Sequence, residues 1–372
     1  MTPTEKLQAF YSLTPDAPIM QLEFSYYCKD LWMKQGYIDE TTDLNKLFLL
    51  EPNPVFTLCG LGGCEAEFCP QFEVKVLEDR GDYELVQDKA GRGVLYFKGR
   101  RNGFMPEYVT HPVTDMKSWE ENCLWRMDPN TKERLEQLKK FVPGAQAAAA
   151  EGRLVRQYMV GGYMYLRSLM GPEGVLYMFY DDPELVHACM KAWLQLADSV
   201  TAWYQQYADI DELQLDEDIC YKVGSLISPD MIREFLFPYY RQLFNNVAKR
   251  NTRGTFYHTP GTVLGQLATD GHFSGILDMY REIGFNFFAP VEVAADNDVV
   301  ELRKKYPTLL LSGGFDKRIL AAGKDAIDRE VDRIMPFMKK AGGYYPTCDH
   351  GVPEEVKFED YLHYRKRMAE FG

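Results

Sequence analysis

The chain predicts a parallel β/α barrel, and three observations lead there. From about residue 150 onward, short apolar runs alternate with amphipathic stretches at helical spacing, the signature of βα units around a parallel sheet. Two late runs are bounded by paired glycines: Leu309-Leu310-Leu311-Ser312-Gly313-Gly314-Phe315-Asp316 and Gly342-Gly343-Tyr344-Tyr345-Pro346-Thr347-Cys348-Asp349-His350. Each then presents acid, thiol or imidazole, as the C-terminal mouth of such a barrel does. A length of 372 residues suits one large domain, so the expectation is a single TIM (β/α)8 barrel over 1–372.

Residues 1–105 read differently from the regular βα repeats of 106–372. Strand-like runs at 72–77, 83–87 and 94–98, separated by Arg80-Gly81-Asp82 and Ala90-Gly91-Arg92-Gly93, predict an antiparallel meander as an N-terminal elaboration. Residues 18–23 and 55–58 are candidates for the first barrel strands. The later candidates are 155–160, 212–215, 255–258, 286–288, 309–311 and 343–345. Asp182-Pro183-Glu184 and Ser228-Pro229-Asp230 open long helices, because a capping side chain followed by proline is a helix start. Asp296, Asp316 and Glu359 open later ones.

The formal net charge of −13, from 55 acidic and 42 basic residues without a long Lys/Arg block, argues against nucleic acid or an anionic membrane as partner. No apolar run approaches membrane-spanning length and no leader pattern opens the chain, so a soluble cytoplasmic protein is expected. The 24 Tyr and 22 Phe suffice for a core and for walls around a flat ligand. The eight cysteines read as reduced thiols. Cys59, Cys64 and Cys69 recur every fifth residue, which is not the spacing of a structural zinc knuckle.

Four strand ends carry groups that could do chemistry. Gln214-Leu215-Asp216-Glu217-Asp218 gathers three carboxylates, whose repulsion raises a pKa or recruits a cation unless the run is a solvated loop. His258 closes Phe256-Tyr257-His258 ahead of Pro260-Gly261, with Asp270-Gly271-His272 close behind; it is a cavity ligand or base, or a hydrogen-bonded core histidine. Asp316 is a catalytic acid or a helix cap. Cys348 and His350 stand two residues apart and can reach one zinc ion. His258 or Asp270 would complete a catalytic zinc shell with an open position.

Several segments together resemble the uroporphyrinogen decarboxylase superfamily: Pro112-Val113-Thr114-Asp115, Leu169-Met170-Gly171-Pro172-Glu173, Pro290-Val291-Glu292-Val293-Ala294, Gly313-Gly314-Phe315-Asp316-Lys317 and Asp349-His350-Gly351-Val352-Pro353. The resemblance covers roughly residues 105–370 and points to the branch of corrinoid-dependent methyltransferases that demethylate methoxylated compounds. It implies a uroporphyrinogen-decarboxylase-like barrel. In the zinc-dependent methyltransferases the position matching His350 supplies a metal ligand and an earlier His-x-Cys supplies two more; here Ala268 and Asp270 stand at those two positions. In the decarboxylases an arginine-rich segment after the first strand grips the substrate carboxylates. This chain reads Pro18-Ile19-Met20-Gln21-Leu22-Glu23-Phe24-Ser25-Tyr26-Tyr27 there, without arginine, and carboxylates lacking such partners are poorly held.

Residues and resemblance together predict an enzyme that moves a methyl group from a small, methoxylated aromatic donor to a corrinoid protein. Zinc is expected on His258, Cys348 and His350, with Asp270 as the alternative to His258. Glu217, Asp270, Asp316 and His350 are the candidate acids and bases, and Tyr163, Tyr257 and Phe288 the candidate aromatic walls. A decarboxylase of a tetrapyrrole or smaller acid is the rival reading, and a barrel that only binds a corrinoid or aromatic ligand a third. The expected partners are the methyl donor and the corrinoid protein; a homodimer is compatible with the chain.

Overall fold

The computed structural model describes residues 1–99 and 107–372, so the boundary expected at 105–106 lies outside the described residues. In chain order the strands are β1 (Val55–Leu58), β2 (Lys75–Arg80), β3 (Tyr83–Gln87), β4 (Gly93–Phe97), β5 (Glu107–Thr110), β6 (Leu154–Val160), β7 (Glu212–Asp216), β8 (Cys220–Tyr221), β9 (Gly224–Ser225), β10 (Leu264–Ala268), β11 (Phe285–Val291), β12 (Leu310–Gly313) and β13 (Tyr344–Tyr345). Apolar runs with helical crossovers between them can pair only in parallel. They do so here as a curled sheet in the order β1-β6-β7-β10-β11-β12-β13. A separate antiparallel sheet runs β2-β3-β4-β5, and β8 and β9 form a two-stranded ribbon.

Among the described residues the sheet has seven strands and is not the closed eight-stranded barrel expected. The segment at 18–23 forms no strand, and its backbone is satisfied outside the sheet: Ile19 N–H donates to the Phe371 carbonyl at 2.9 Å, and Glu51 N–H donates to that of Gln21 at 2.8 Å. Pro18 has no N–H to give a ladder. A second correction falls at 255–258, which is a turn. Thr255 N–H donates to the His258 carbonyl at 3.0 Å, and Pro260 and Gly261 follow at once. The strand lies further on at β10, in register with β7 through Gly265↔Leu213 and Leu267↔Leu215. A Cβ on Gly265 would stand 2.8 Å from the Gly284 carbonyl oxygen, so a glycine there lets β10 approach β11 closely.

Alternation along the strands sorts the two faces of the sheet. Val155, Leu213, Leu267 and Leu311 face outward and are buried against helices such as Pro183–Tyr204, which Asp182 caps through the Leu185 N–H at 3.0 Å. On the inner side, Leu7, Phe10, Met20, Leu154, Tyr257, Phe287 and Leu310 pack into an apolar plug at the N-terminal end of the strands. The C-terminal end is left for polar groups. Among the described residues no helix is long and apolar enough to cross a membrane.

Candidate active site

The same alternation that buries leucines outward turns Arg156, Tyr158, Gln214, Asp216, Gln266, Ser312 and Tyr345 inward, above the plug. They line a cavity of about 780 Å³ at the C-terminal strand ends, together with the loop residues Asp218, Asp270, Cys348, Asp349 and His350. Phe24 and Tyr27 also line it and are largely solvent-exposed.

The cavity floor is a connected polar network. Arg156 donates from Nε to Glu212 Oε1 at 2.7 Å and from Nη1 to Gln214 Oε1 at 2.9 Å. Gln214 Nε2 donates to Asp216 Oδ1 at 3.2 Å, and the Tyr158 hydroxyl donates to the other Asp216 oxygen. The guanidinium is therefore held by the protein itself. Burial raises the pKa of the Asp216 carboxyl, and burial likewise raises that of Glu23 on the opposite wall.

At the rim, His350 stands between two carboxylates. Nε2 lies 3.4 Å from Asp270 Oδ2, and Nδ1 lies 3.6 Å from Asp349 Oδ1. Hydrogen bonding to Asp270, and then to Asp349, pushes the imidazole up to about 9, so it carries its proton at neutral pH. Asp349 is 1% exposed; its Oδ2 accepts the Val293 N–H at 3.1 Å, and Lys317 Nζ lies 4.0 Å from its Oδ1. Glu292, at the end of β11, accepts the Gly271 N–H at 2.8 Å. Ligand atoms of Asp270, Glu292 and His350 all fall within 4.8 Å of one another, so these three residues fit a divalent ion.

The expected site residues divide. Asp270, Cys348 and His350 meet at the cavity. His258 does not: it is buried at the opposite end, Nε2 3.4 Å from Asp211 Oδ1 and Nδ1 3.0 Å from the Thr259 carbonyl oxygen, and so it is the core histidine of the two readings. Tyr257 sits beside it in the plug, its hydroxyl donating to the Gly152 carbonyl at 3.3 Å. The Cys348 thiol lies outside the Asp270–Glu292–His350 trio, and burial raises its pKa well above the usual thiol value.

Glu217, Tyr163 and Phe288 point away from the cavity: strand parity sends Phe288 outward, Glu217 follows β7 with the outward parity, and Tyr163 is buried on the helix Gly162–Met170. Glu217 is fully buried against helices, accepting from the Tyr240 hydroxyl at 2.7 Å and the Tyr280 hydroxyl at 3.1 Å, and burial pushes it up to about 7. Phe288 stacks on Phe273, and Tyr163 is buried in the core. Asp316 caps the helix Lys317–Ala321 through the Arg318 N–H at 2.8 Å and grips the Arg318 guanidinium. What sequence reasoning missed is the inner row of β6, Arg156 and Tyr158, and Glu212 at the start of β7. Counting back in twos from Asp216 reaches Gln214 and Glu212, and the same step on β6 reaches Tyr158 and Arg156.

A carboxylate-rich cavity at the C-terminal ends of a parallel β/α sheet occupies the place where β/α folds carry their active sites. Residues 104–370 match the family described as uroporphyrinogen decarboxylase (URO-D), and the chain belongs to that family. Uroporphyrinogen decarboxylase of Saccharopolyspora erythraea is 29% identical over 187 residues, covering 47% of this chain and 46% of that protein. The Rhodococcus erythropolis enzyme of the same name is 30% identical over 160 residues, 42% of this chain and 39% of its own. These matches thus span less than half of each relative. A methyltransferase from Methanosarcina mazei shares the fold with a TM-score of 0.59 at 14% identity, covering 100% of this chain and 99% of its own.

Proposed function

We propose that this URO-D-family enzyme takes a methyl group from a small, methoxylated aromatic donor and passes it to a corrinoid carried by a partner protein. The observation that carries the reading is the charge of the cavity. Glu23, Glu51, Asp216, Asp218, Asp270 and Asp349 line it, whereas the cationic groups lining it among the described residues are Arg156, already held by Glu212 and Gln214, and His350. A substrate bearing many carboxylates would lose hydration and meet like charge. A neutral arene suits the walls made by Phe24, Tyr27, Tyr158 and Tyr345.

A reduced corrinoid on the partner would supply the electron pair that attacks the methyl carbon and displaces the phenoxide. The methyl–oxygen bond breaks, and the difficulty is the poor phenoxide leaving group. His350, held protonated between Asp270 and Asp349, places a proton at Nε2 on the cavity wall, where the departing oxygen can take it. A divalent ion on Asp270, Glu292 and His350 would supply the same polarisation as a Lewis acid, and zinc is the ion this family's methyltransferases suggest.

The rival is decarboxylation, which the names of the curated relatives favour. Incubating the purified protein separately with uroporphyrinogen and with a methoxylated phenol plus reduced corrinoid separates the two. The expected outcome is the demethylated phenol without carbon dioxide release; carbon dioxide from uroporphyrinogen alone would reverse the ranking.

A further inference from the structure

We infer that the ion this site takes is bound by oxygen and nitrogen alone, through Asp270, Glu292 and His350, and that neither Cys348 nor any other thiol is a ligand. The inference rests on the proposed function only for the ion's role; the binding itself stands on geometry.

Two of the three residues, His350 and Glu292, are already braced as metal ligands would be. The His350 ring turns Nε2 toward Asp270, 3.4 Å away, while its Nδ1 faces the Asp349 carboxylate at 3.6 Å. Asp349 is buried and anchored by the Val293 N–H, so it fixes the ring plane and would keep a proton on Nδ1 when an ion displaces the one on Nε2. Asp349 Oδ1 and His350 Nδ1 are both sealed from solvent and neither has a hydrogen-bond partner, which leaves them facing each other at 3.6 Å. The second carboxylate, Glu292, is oriented by the Gly271 N–H at 2.8 Å. Gly271 has φ +80°, and a Cβ there would stand 2.6 Å from the Tyr221 backbone nitrogen, so the glycine keeps that N–H aimed at Glu292.

The thiols are excluded by position. Cys348 is fully buried next to Glu23, which accepts its N–H at 2.8 Å, and Cys64 lies near Asp216, Asp218 and Arg167 on another part of the wall. Two carboxylates and one imidazole suit manganese, iron, cobalt or zinc, without the extra preference for zinc that thiolates confer.

The test is cobalt(II) titration of the full-length protein after chelator dialysis, followed by absorbance, with manganese(II) binding followed by electron paramagnetic resonance. One ion per chain is expected, with no sulfur-to-cobalt charge-transfer band and the same affinity in Cys348→Ser. Glu292→Gln and His350→Ala, checked for native circular dichroism, should each weaken binding at least about tenfold, and Asp349→Asn about 10- to 100-fold. A charge-transfer band, uptake lost in Cys348→Ser, or no uptake of either ion would overturn the assignment. Absent uptake would leave methyl transfer by proton donation standing. Failure of methyl transfer with the ion bound would sink the functional reading and not this one.

Discussion

His350 and Glu217 show how one side chain's surroundings decide its role. Both titrate far from their ordinary values, for opposite reasons: His350 is raised by two carboxylates, Glu217 by burial. For His350 the protonated form is the one the fold favours, so the proton persists below about pH 9 and is lost above it. If that proton assists the leaving oxygen, the rate of methyl transfer measured without added metal should fall above pH 9, not near 6.5. A profile that breaks at 6.5 would contradict the pairing with Asp270 and Asp349. For Glu217 the sign is reversed. Its folded value of about 7 against an ordinary 4.5 means that the folded state binds the proton more tightly, so stability is lost as pH rises from 4.5 through 7. Glu217→Gln keeps an acceptor for Tyr240 and Tyr280 and removes the charge. Denaturation at pH 8 should find it more stable by up to about 3 kcal/mol, with little difference at pH 4. Equal stability of the two proteins across that range would show Glu217 to be charged at no cost.

At the scale of elements, the glycine turns and caps behave as chain chemistry dictates. Gly314, after β12, has φ +78° and a Cβ position 2.3 Å from Val299 Cγ1. Gly314→Ala should therefore cost at least about 2 kcal/mol, read from the denaturation midpoint. Asp316→Ala should cost about 1 kcal/mol through the lost cap, with turnover per folded molecule unchanged. A turnover collapse would restore Asp316 to the catalytic set. These elements also show what was legible. Helix starts at Asp182 and Ser228, and strands at β6, β7, β11, β12 and β13, announce themselves through capping residues and apolar runs. The 255–258 run does not form a strand, because Thr255 and His258 are tied to the buried Asp211 carboxylate. β10 hid because Gly265 and Gln266 interrupt its apolar pattern.

On the scale of the whole molecule, the curled sheet gathers at one end residues far apart in sequence. The rim loops were legible because Asp270, Cys348 and His350 sit next to turn signals. Glu217 and Phe288 misled because residue types do not reveal which face of a strand they occupy; only register does, and register is a tertiary property. Tyr163 misled because it sits on the core-facing side of the helix Gly162–Met170. Arg156 was invisible for a related reason: an interior arginine lies inside an otherwise ordinary strand, and the partners that neutralise it, Glu212 and Gln214, arrive from β7. The resulting cavity is lined by carboxylates and aromatic side chains, and on that lining rests the proposal that its substrate is a neutral arene and not a polyanion. The most direct test is to supply a methoxylated phenol labelled with carbon-13 in its methoxy group, together with reduced corrinoid, and to follow the label by nuclear magnetic resonance. The account expects the label to move from oxygen to cobalt in step with phenol formation. Label that stays on the donor, while the same preparation releases carbon dioxide from uroporphyrinogen, would contradict it.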